Sequence, residues 1–140
     1  MRLIAIAGLP GSGKSTLLLD PQYREFLQID DIGKDWGSNL ERIRESMRNA
    51  QSIIVSDIVF CFAENRTLFE NSVGNKFEWI CFENAPVKCA INALHRFYLN
   101  GDRPIFKELQ NIIEFSRLYE LVGTKILPVI VSEDVLKRLV

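Results

Sequence analysis

The sequence has one histidine and only three cysteines, Cys61, Cys81 and Cys89, and no two of them are spaced as a C-x-x-C pair. An odd number of thiols without that spacing argues against a disulfide framework and against a structural zinc site. We therefore expect the three cysteines to be free thiols, buried or half-buried in the fold.

The sequence also lacks an apolar run of about 20 residues, the length that a membrane-spanning helix requires. It does not begin with an apolar segment followed by a signal-peptide cleavage site. These two features favour a cytoplasmic protein without a membrane partner.

Neither sign of charge dominates, because 17 Lys and Arg residues stand against 18 Asp and Glu residues, for a formal net charge of −1. Without an overall positive field, any contact with nucleic acid would have to be local. The 140 residues, of which 47% are hydrophobic, fit one domain spanning residues 1–140. A chain of this length buries about 70% of its unfolded surface.

Short apolar runs alternate with segments of helical periodicity. The predicted strands are residues 3–7, 25–29, 52–56, 77–82 and 125–131, and the predicted helices are residues 14–19, 38–51, 64–72, 86–99, 106–121 and 132–139. This alternation predicts an α/β fold, a three-layer sandwich around a five-stranded parallel sheet with right-handed crossovers. Pro128 lies within the last predicted strand, so that strand lies at the sheet edge or ends early.

A phosphate-binding motif lies between the first predicted strand and the first predicted helix. Residues 8–15 read GLPGSGKS and satisfy G-x-x-x-x-G-K-[ST], the P-loop of nucleoside triphosphatases. In such a loop we expect the backbone N–H groups to point at phosphate oxygens, Lys14 to reach the β and γ phosphates, and the Ser15 hydroxyl to ligate Mg²⁺. The predicted nucleotide-binding residues of the motif and its flank are Gly8, Gly11, Ser12, Gly13, Lys14, Ser15 and Thr16. No N-K-x-D guanine signature is present, which favours ATP.

Acidic residues follow two other predicted strands. Asp57 closes the apolar run Ile53-Ile54-Val55-Ser56 and has the form of a Walker B aspartate, which predicts a Mg²⁺ ligand. Asp30 and Asp31 follow the second strand, where either could orient the attacking oxygen of a phosphoryl acceptor. Ligands bind beyond the carboxyl ends of parallel strands, so these acids and the P-loop should share one site.

The motifs together resemble a known family. Residues 8–16 (GLPGSGKST), the pair Asp30-Asp31, and Ser56-Asp57 followed by Glu64-Asn65-Arg66 are similar to P-loop kinases of the polynucleotide 5′-hydroxyl kinase and zeta-toxin type, an AAA-type ATP-binding group. The stretch Phe82-Glu83-Asn84-Ala85-Pro86 resembles their fourth strand and the entry to the lid. The resemblance implies an ATP-dependent kinase in which Asp30 or Asp31 activates a hydroxyl. It also implies a short helical lid, about residues 87–104, whose Arg96 and Arg103 clamp phosphates, with Arg96 acting in catalysis.

Two departures leave the acceptor open. Lys34 stands where polynucleotide kinases of this type usually have an arginine for the acceptor phosphate, and the residues after Asp57 are the apolar stretch 58–62, which forms an acceptor wall or core. We therefore expect an ATP-dependent kinase that transfers the γ-phosphate to a hydroxyl acceptor, for which a polynucleotide 5′-hydroxyl is one candidate. The alternatives are a nucleoside monophosphate or small-metabolite kinase, and a P-loop ATPase or nucleotide switch without a second substrate.

Overall fold

The computed structural model describes residues 1–101, 104–121 and 125–131. Its strands are β1 (Leu3–Ala7), β2 (Leu27–Asp30), β3 (Ile53–Ser56), β4 (Glu78–Phe82) and β5 (Lys125–Leu127). Its helices are α1 (Lys14–Leu18), α2 (Trp36–Arg48), α3 (Ala63–Val73), α4 (Pro86–Asn100) and α5 (Ile105–Leu118). Three short 3₁₀ turns occupy Pro21–Tyr23, Ile32–Asp35 and Ile58–Cys61.

The five strands form one parallel sheet in the order β2-β3-β1-β4-β5, which confirms the predicted fold class. The connection from β1 to β2 crosses the sheet in one direction, and the other three connections cross in the opposite direction. Crossovers of this kind are right-handed as a rule, which places α1 on one face of the sheet and α2 and α3 on the other and gives three layers. The reversal lies between β1 and β3, the position where ligands bind in folds of this kind.

The apolar runs of the sequence form the centre of the sheet. Residues 4–7 of β1 and 53–55 of β3 are fully buried, as expected for parallel strands covered on both faces. Beneath α3, Phe60, Phe69, Phe77 and Trp79 pack ring against ring. The buried Arg66 lies over the Trp79 ring and donates to the Phe60 carbonyl at 2.7 Å, so it supports the 3₁₀ turn at Ile58–Cys61.

Several predicted boundaries need correction. β2 begins at Leu27 because the amide of Phe26 still bonds back to the Tyr23 carbonyl, and it ends on Asp30 itself. β5 is an edge strand that stops at Leu127, one residue before Pro128, which has no N–H for the ladder. α5 ends at Leu118 instead of residue 121. The predicted helix 132–139 lies outside the described residues.

The predicted start of α2 was also wrong. Ser38 with Glu41 has the spacing of a capping box, but α2 begins at Trp36 and Ser38 lies inside its first turn. The 3₁₀ turn Ile32–Asp35 runs directly into the helix. Asn39 anchors this junction, since its buried amide donates to the Ile32 carbonyl at 2.9 Å.

In the part of the chain that the structure describes, no helix is both long and apolar enough to span a membrane.

Candidate active site

The phosphate loop needs glycine at two positions of positive φ. Gly11 has φ of +82° and Gly13 has φ of +111°, a region that residues with a Cβ rarely adopt. Gly13 directly precedes α1, so Lys14 and Ser15 occupy the first turn of that helix. The chain thus turns sharply between a buried strand and a helix, with its backbone close to the space where phosphate would lie.

The inside of the loop contains a buried hydroxyl. Ser12 Oγ has no hydrogen-bond partner among the described residues, and a Cβ added at Gly8 would lie only 2.4 Å from it. A buried polar atom without a partner is uncommon in native proteins, and a bound ion or water is one way in which it is satisfied. This orphaned hydroxyl fits a loop built to hold an anion.

Lys14 is folded back over its own loop. Its Nζ donates to the carbonyl of Gly8 at 2.7 Å and to that of Leu9 at 3.0 Å. Desolvation by burial lowers the pKa of Lys14, although the nearby Asp30 and Asp31 carboxylates oppose this shift. A desolvated ammonium group that contacts only neutral carbonyl oxygens would be strongly stabilised by a negatively charged phosphate oxygen.

Asp30 joins the P-loop to β3. Its Oδ2 accepts from the Ser15 hydroxyl at 2.6 Å, and its Oδ1 accepts from the Ser56 hydroxyl at 2.6 Å. Asp30 and Ser56 are register partners in the β2–β3 ladder, so the sheet itself brings them together. Burial alone would raise the pKa of Asp30, but the bonds from Ser15 and Ser56 and the charge of Lys14 outweigh it and hold that pKa below its usual value.

Asp57 has a different environment. Its Oδ2 accepts from the Gly33 amide at 2.8 Å and its Oδ1 from the Val59 amide at 3.0 Å, and the residue is 5% exposed. The carboxylate therefore ties the loop after β2 to the 3₁₀ turn after β3. The prediction that Asp57 ligates Mg²⁺ stays a prediction, but the carboxylate bonded to Ser15 is that of Asp30.

Asp31 lies next to Asp30 in the left-handed region, with φ of +54°. Its carboxylate is half-exposed and lies 3.5 Å from the ammonium group of Lys34. Asp30 and Asp31 therefore differ in their surroundings. Asp30, the more exposed residue of the two, is bound to two hydroxyls, whereas Asp31 lies beside the ammonium group of Lys34.

The P-loop, the Asp30-Asp31 pair and the α4–α5 hairpin enclose a cleft of about 230 Å³. It is lined by Pro10, Gly11, Gly13, Lys14, Ser15, Thr16, Asp30, Asp31, Ile58, Arg96, Glu108 and Asn111. The apolar stretch after Asp57 thus divides, since Ile58 lines the cleft while Phe60 and Cys61 are buried in the core. Arg103 lies outside the described residues.

Two residues of α5 that the sequence did not predict as site residues line the cleft. Glu108 and Asn111 are three residues apart and so share one face of the helix. Glu108 Oε1 lies 3.5 Å from the Arg96 guanidinium of α4, so an ion pair spans the hairpin. Polar residues on one helix face are common on any surface helix, and the sequence offered no other signal for them.

A second, mostly apolar pocket of about 420 Å³ lies on the other side of the P-loop. Its walls are Ser12, Gly13, Thr16, Leu17, Phe82, Leu127, Pro128 and Ile130. Gly13 and Thr16 line both this pocket and the cleft, so the two spaces meet at the start of α1.

The three cysteines are buried free thiols, as predicted. Burial raises the pKa of Cys61 to about 12 and that of Cys89 to about 11, despite the charge of Lys14 nearby. Both thiols are therefore protonated at neutral pH and pack as small apolar groups.

No protein-family model and no curated protein sequence matches the chain. Among solved structures, a gluconokinase from Sinorhizobium meliloti 1021 matches with a TM-score of 0.62 at 17% identity, over 99% of this chain and 93% of that one. The protein APE1195 matches with a TM-score of 0.54 at 20% identity, over 90% and 84% of the two chains. A shikimate kinase from Bacteroides thetaiotaomicron has a TM-score of 0.48 at 17% identity, over 99% and 95%.

At these identities the likeness establishes the fold. The chain has the α/β fold of P-loop kinases, as represented by the gluconokinase. The narrower resemblance to polynucleotide 5′-hydroxyl kinases and zeta toxins is not confirmed.

Proposed function

We propose that the protein is an ATP- and Mg²⁺-dependent kinase that transfers the γ-phosphate to a hydroxyl of a small molecule. The observation that carries this proposal is the Ser15–Asp30 hydrogen bond of 2.6 Å beside Lys14, at the floor of a cleft with polar walls. The far wall contributes Arg96, Glu108 and Asn111, so the cleft has room and chemistry for a second substrate.

The nucleotide fits across the two pockets. Its phosphates would lie against the P-loop, where Ser12 Oγ, Ser15 and Lys14 meet oxygen atoms that can accept their hydrogen bonds. Its base would enter the apolar pocket bounded by Phe82 and residues 127–130, because base rings bury apolar faces well.

The residues around Ser15 fit a magnesium ion. The Ser15 hydroxyl and the Asp30 carboxylate supply hard oxygen ligands beside the phosphate site, and one or two carboxylates with substrate phosphates are the usual set for Mg²⁺. When bound, the ion would neutralise charge on the β and γ phosphates. The Ser56 hydroxyl donates to the other carboxylate oxygen of Asp30 and so holds that side chain in place. We assign the ion to Ser15 and Asp30, with Asp57 fixing the neighbouring loops.

The acceptor hydroxyl is assigned to Asp31. Asp30 is a poor base, because its pKa is lowered and both its oxygens accept hydrogen bonds. Asp31 lines the same cleft and is half-exposed, so it can orient an entering hydroxyl and accept its proton. Lys14 and Arg96 would stabilise charge on the transferring phosphoryl group.

Two observations support a small acceptor over a polynucleotide end. The cleft of about 230 Å³ is small, and the γ-phosphate would take part of it. The gluconokinase of the same fold is also named for a small acceptor.

The proposal is tested by measuring ADP formation from MgATP with separate pools of sugars and polyols, nucleoside monophosphates, and 5′-hydroxyl oligonucleotides. We expect one small-molecule pool to accelerate ADP formation, and Lys14→Ala to abolish it. ADP formation that no pool changes would support the ATPase or switch alternative. Stimulation by oligonucleotides alone would support a polynucleotide 5′-hydroxyl as the acceptor.

A further inference from the structure

The outer wall of the apolar pocket is irregular backbone. β5 ends at Leu127, whose carbonyl accepts from the Glu83 amide at 2.8 Å. Pro128 has no N–H, and residues 128–131 lie beyond the ladder. The Val129 amide donates to the Glu83 carboxylate at 3.0 Å. This wall therefore depends on side chains of other elements for its position.

Asn92 of α4 supplies a further bond to this wall. Its Nδ2 donates to the Ile130 carbonyl at 3.0 Å and to the Gly11 carbonyl of the P-loop at 2.9 Å. Both partners can only accept, so the amide must present its two N–H groups to them, which fixes its orientation. One side chain thus connects the wall of the apolar pocket to the phosphate loop.

The backbone of α4 packs tightly against the P-loop. A Cβ added at Gly11 would lie 2.4 Å from the Cys89 carbonyl, so the helix backbone approaches the loop as closely as glycine allows. Cys89, Asn92 and Arg96 follow at intervals of three and four residues and therefore share one face of α4. The same face contacts the P-loop, the wall of the apolar pocket and the cleft.

We infer that Asn92 is a positioning residue that joins the base pocket to the phosphate loop, so that the two parts of a nucleotide site act as one unit. The inference rests on the proposed nucleotide binding. Phosphate that orders the P-loop would also hold Ile130 in place through Asn92. A base in the apolar pocket would in turn stabilise the loop at Gly11.

The test compares ATP with inorganic tripolyphosphate, which has the phosphates but no base. Dissociation constants for both, with Mg²⁺, are measured by calorimetry for the wild type, Asn92→Ala and Asn92→Asp. Asn84→Ala is the matched control, because the Asn84 amide donates to the Ser116 carbonyl at 2.8 Å and neither residue lines either pocket. Circular dichroism and thermal unfolding verify that each variant is folded.

We expect the preference for ATP over tripolyphosphate to fall about tenfold in both Asn92 variants, the effect of losing a well-placed hydrogen bond, and to stay unchanged in Asn84→Ala. Equal weakening of both ligands, or an unchanged preference, would overturn the inference. A wild type that binds neither ligand would instead overturn the proposed function, and the inference with it.

A second measurement needs no variant and so remains decisive if the Asn92 variants do not fold. Hydrogen exchange of the peptide covering residues 127–131 is followed in the wild-type protein. Tripolyphosphate, which has no group for the apolar pocket, should slow this exchange at least twofold. Protection by ATP but not by tripolyphosphate would contradict a connection through Asn92.

Discussion

The hydroxyl of Ser15 donates to Asp30 across 2.6 Å, whereas the carboxylate of Asp57 accepts from the backbone amides of Gly33 and Val59. The acid next to the predicted magnesium ligand is therefore the one at the end of β2. This difference leads to distinct expectations for the two aspartates.

Asp30→Asn should raise the Mg²⁺ concentration needed for half-maximal activity by about tenfold or more, the usual effect of losing a group close to a metal. Asp57→Asn should instead destabilise the fold by about 1–3 kcal/mol, because an amide nitrogen would face one of two buried N–H donors. Magnesium titrations and chemical denaturation of both variants separate the effects. If Asp57→Asn raised the Mg²⁺ requirement and Asp30→Asn destabilised the fold, the metal ion would be assigned to Asp57.

Ser56→Ala removes one of the two hydroxyl donors to Asp30, so the pKa of Asp30 should rise towards its ordinary value. The wild-type carboxylate, whose pKa is lowered by folding, stabilises the protein above its unfolded pKa and loses this effect as the pH falls through its folded pKa. Because the Asp30 carboxylate must also be ionised to hold Mg²⁺, the acid limb of the activity profile should move to higher pH in Ser56→Ala. Ser46→Ala, at a buried serine of α2, is the control, and an identical profile for all three proteins would contradict the assignment.

Lys14→Met should leave the unfolding free energy within about 1 kcal/mol of the wild type but remove stabilisation by MgATP. A ligand at 100 times its dissociation constant stabilises a protein by about 2.7 kcal/mol, which thermal unfolding readily detects. Lys107→Met, at an exposed position of α5, should keep the full effect. Equal stabilisation of Lys14→Met and wild type by MgATP would exclude Lys14 from the phosphate site.

Gly11 and Gly74 form a matched pair, since their φ angles are +82° and +84°. A Cβ at Gly11 would strike the Cys89 carbonyl at 2.4 Å, whereas Gly74 has open space around it. Gly74→Ala should cost about 1–2 kcal/mol through its backbone conformation alone and leave ATP affinity unchanged. Gly11→Ala should also lower ATP affinity by displacing α4 from the loop. Equal ATP affinities in both variants would show that this contact is dispensable.

The features that the sequence predicts well are local. The P-loop lies between β1 and α1 as its motif requires, and the apolar runs at β1 and β3 became buried central strands. Pro128 fixed the end of β5 because its missing N–H acts regardless of tertiary context. Each of these features depends on residues that are adjacent in the chain.

The features that it did not predict depend on distant partners. Asp57 has the form of a Walker B acid, but its bond to Gly33 spans 24 residues and appears only once the loops are packed. Ser38 and Glu41 have capping-box spacing, but α2 begins earlier because the 3₁₀ turn Ile32–Asp35 continues directly into it. Glu108 and Asn111 join the site only because α5 folds back along α4.

The most direct test of the central claim follows the phosphoryl group itself, with γ-labelled ATP, Mg²⁺ and separate pools of sugars and polyols, nucleoside monophosphates, and 5′-hydroxyl oligonucleotides. We predict label in a small-molecule product, lost in Lys14→Ala and strongly reduced in Asp30→Ala and Asp31→Ala. Label recovered only as free phosphate, whichever pool is present, would contradict a kinase and identify the protein as a nucleotide hydrolase or switch.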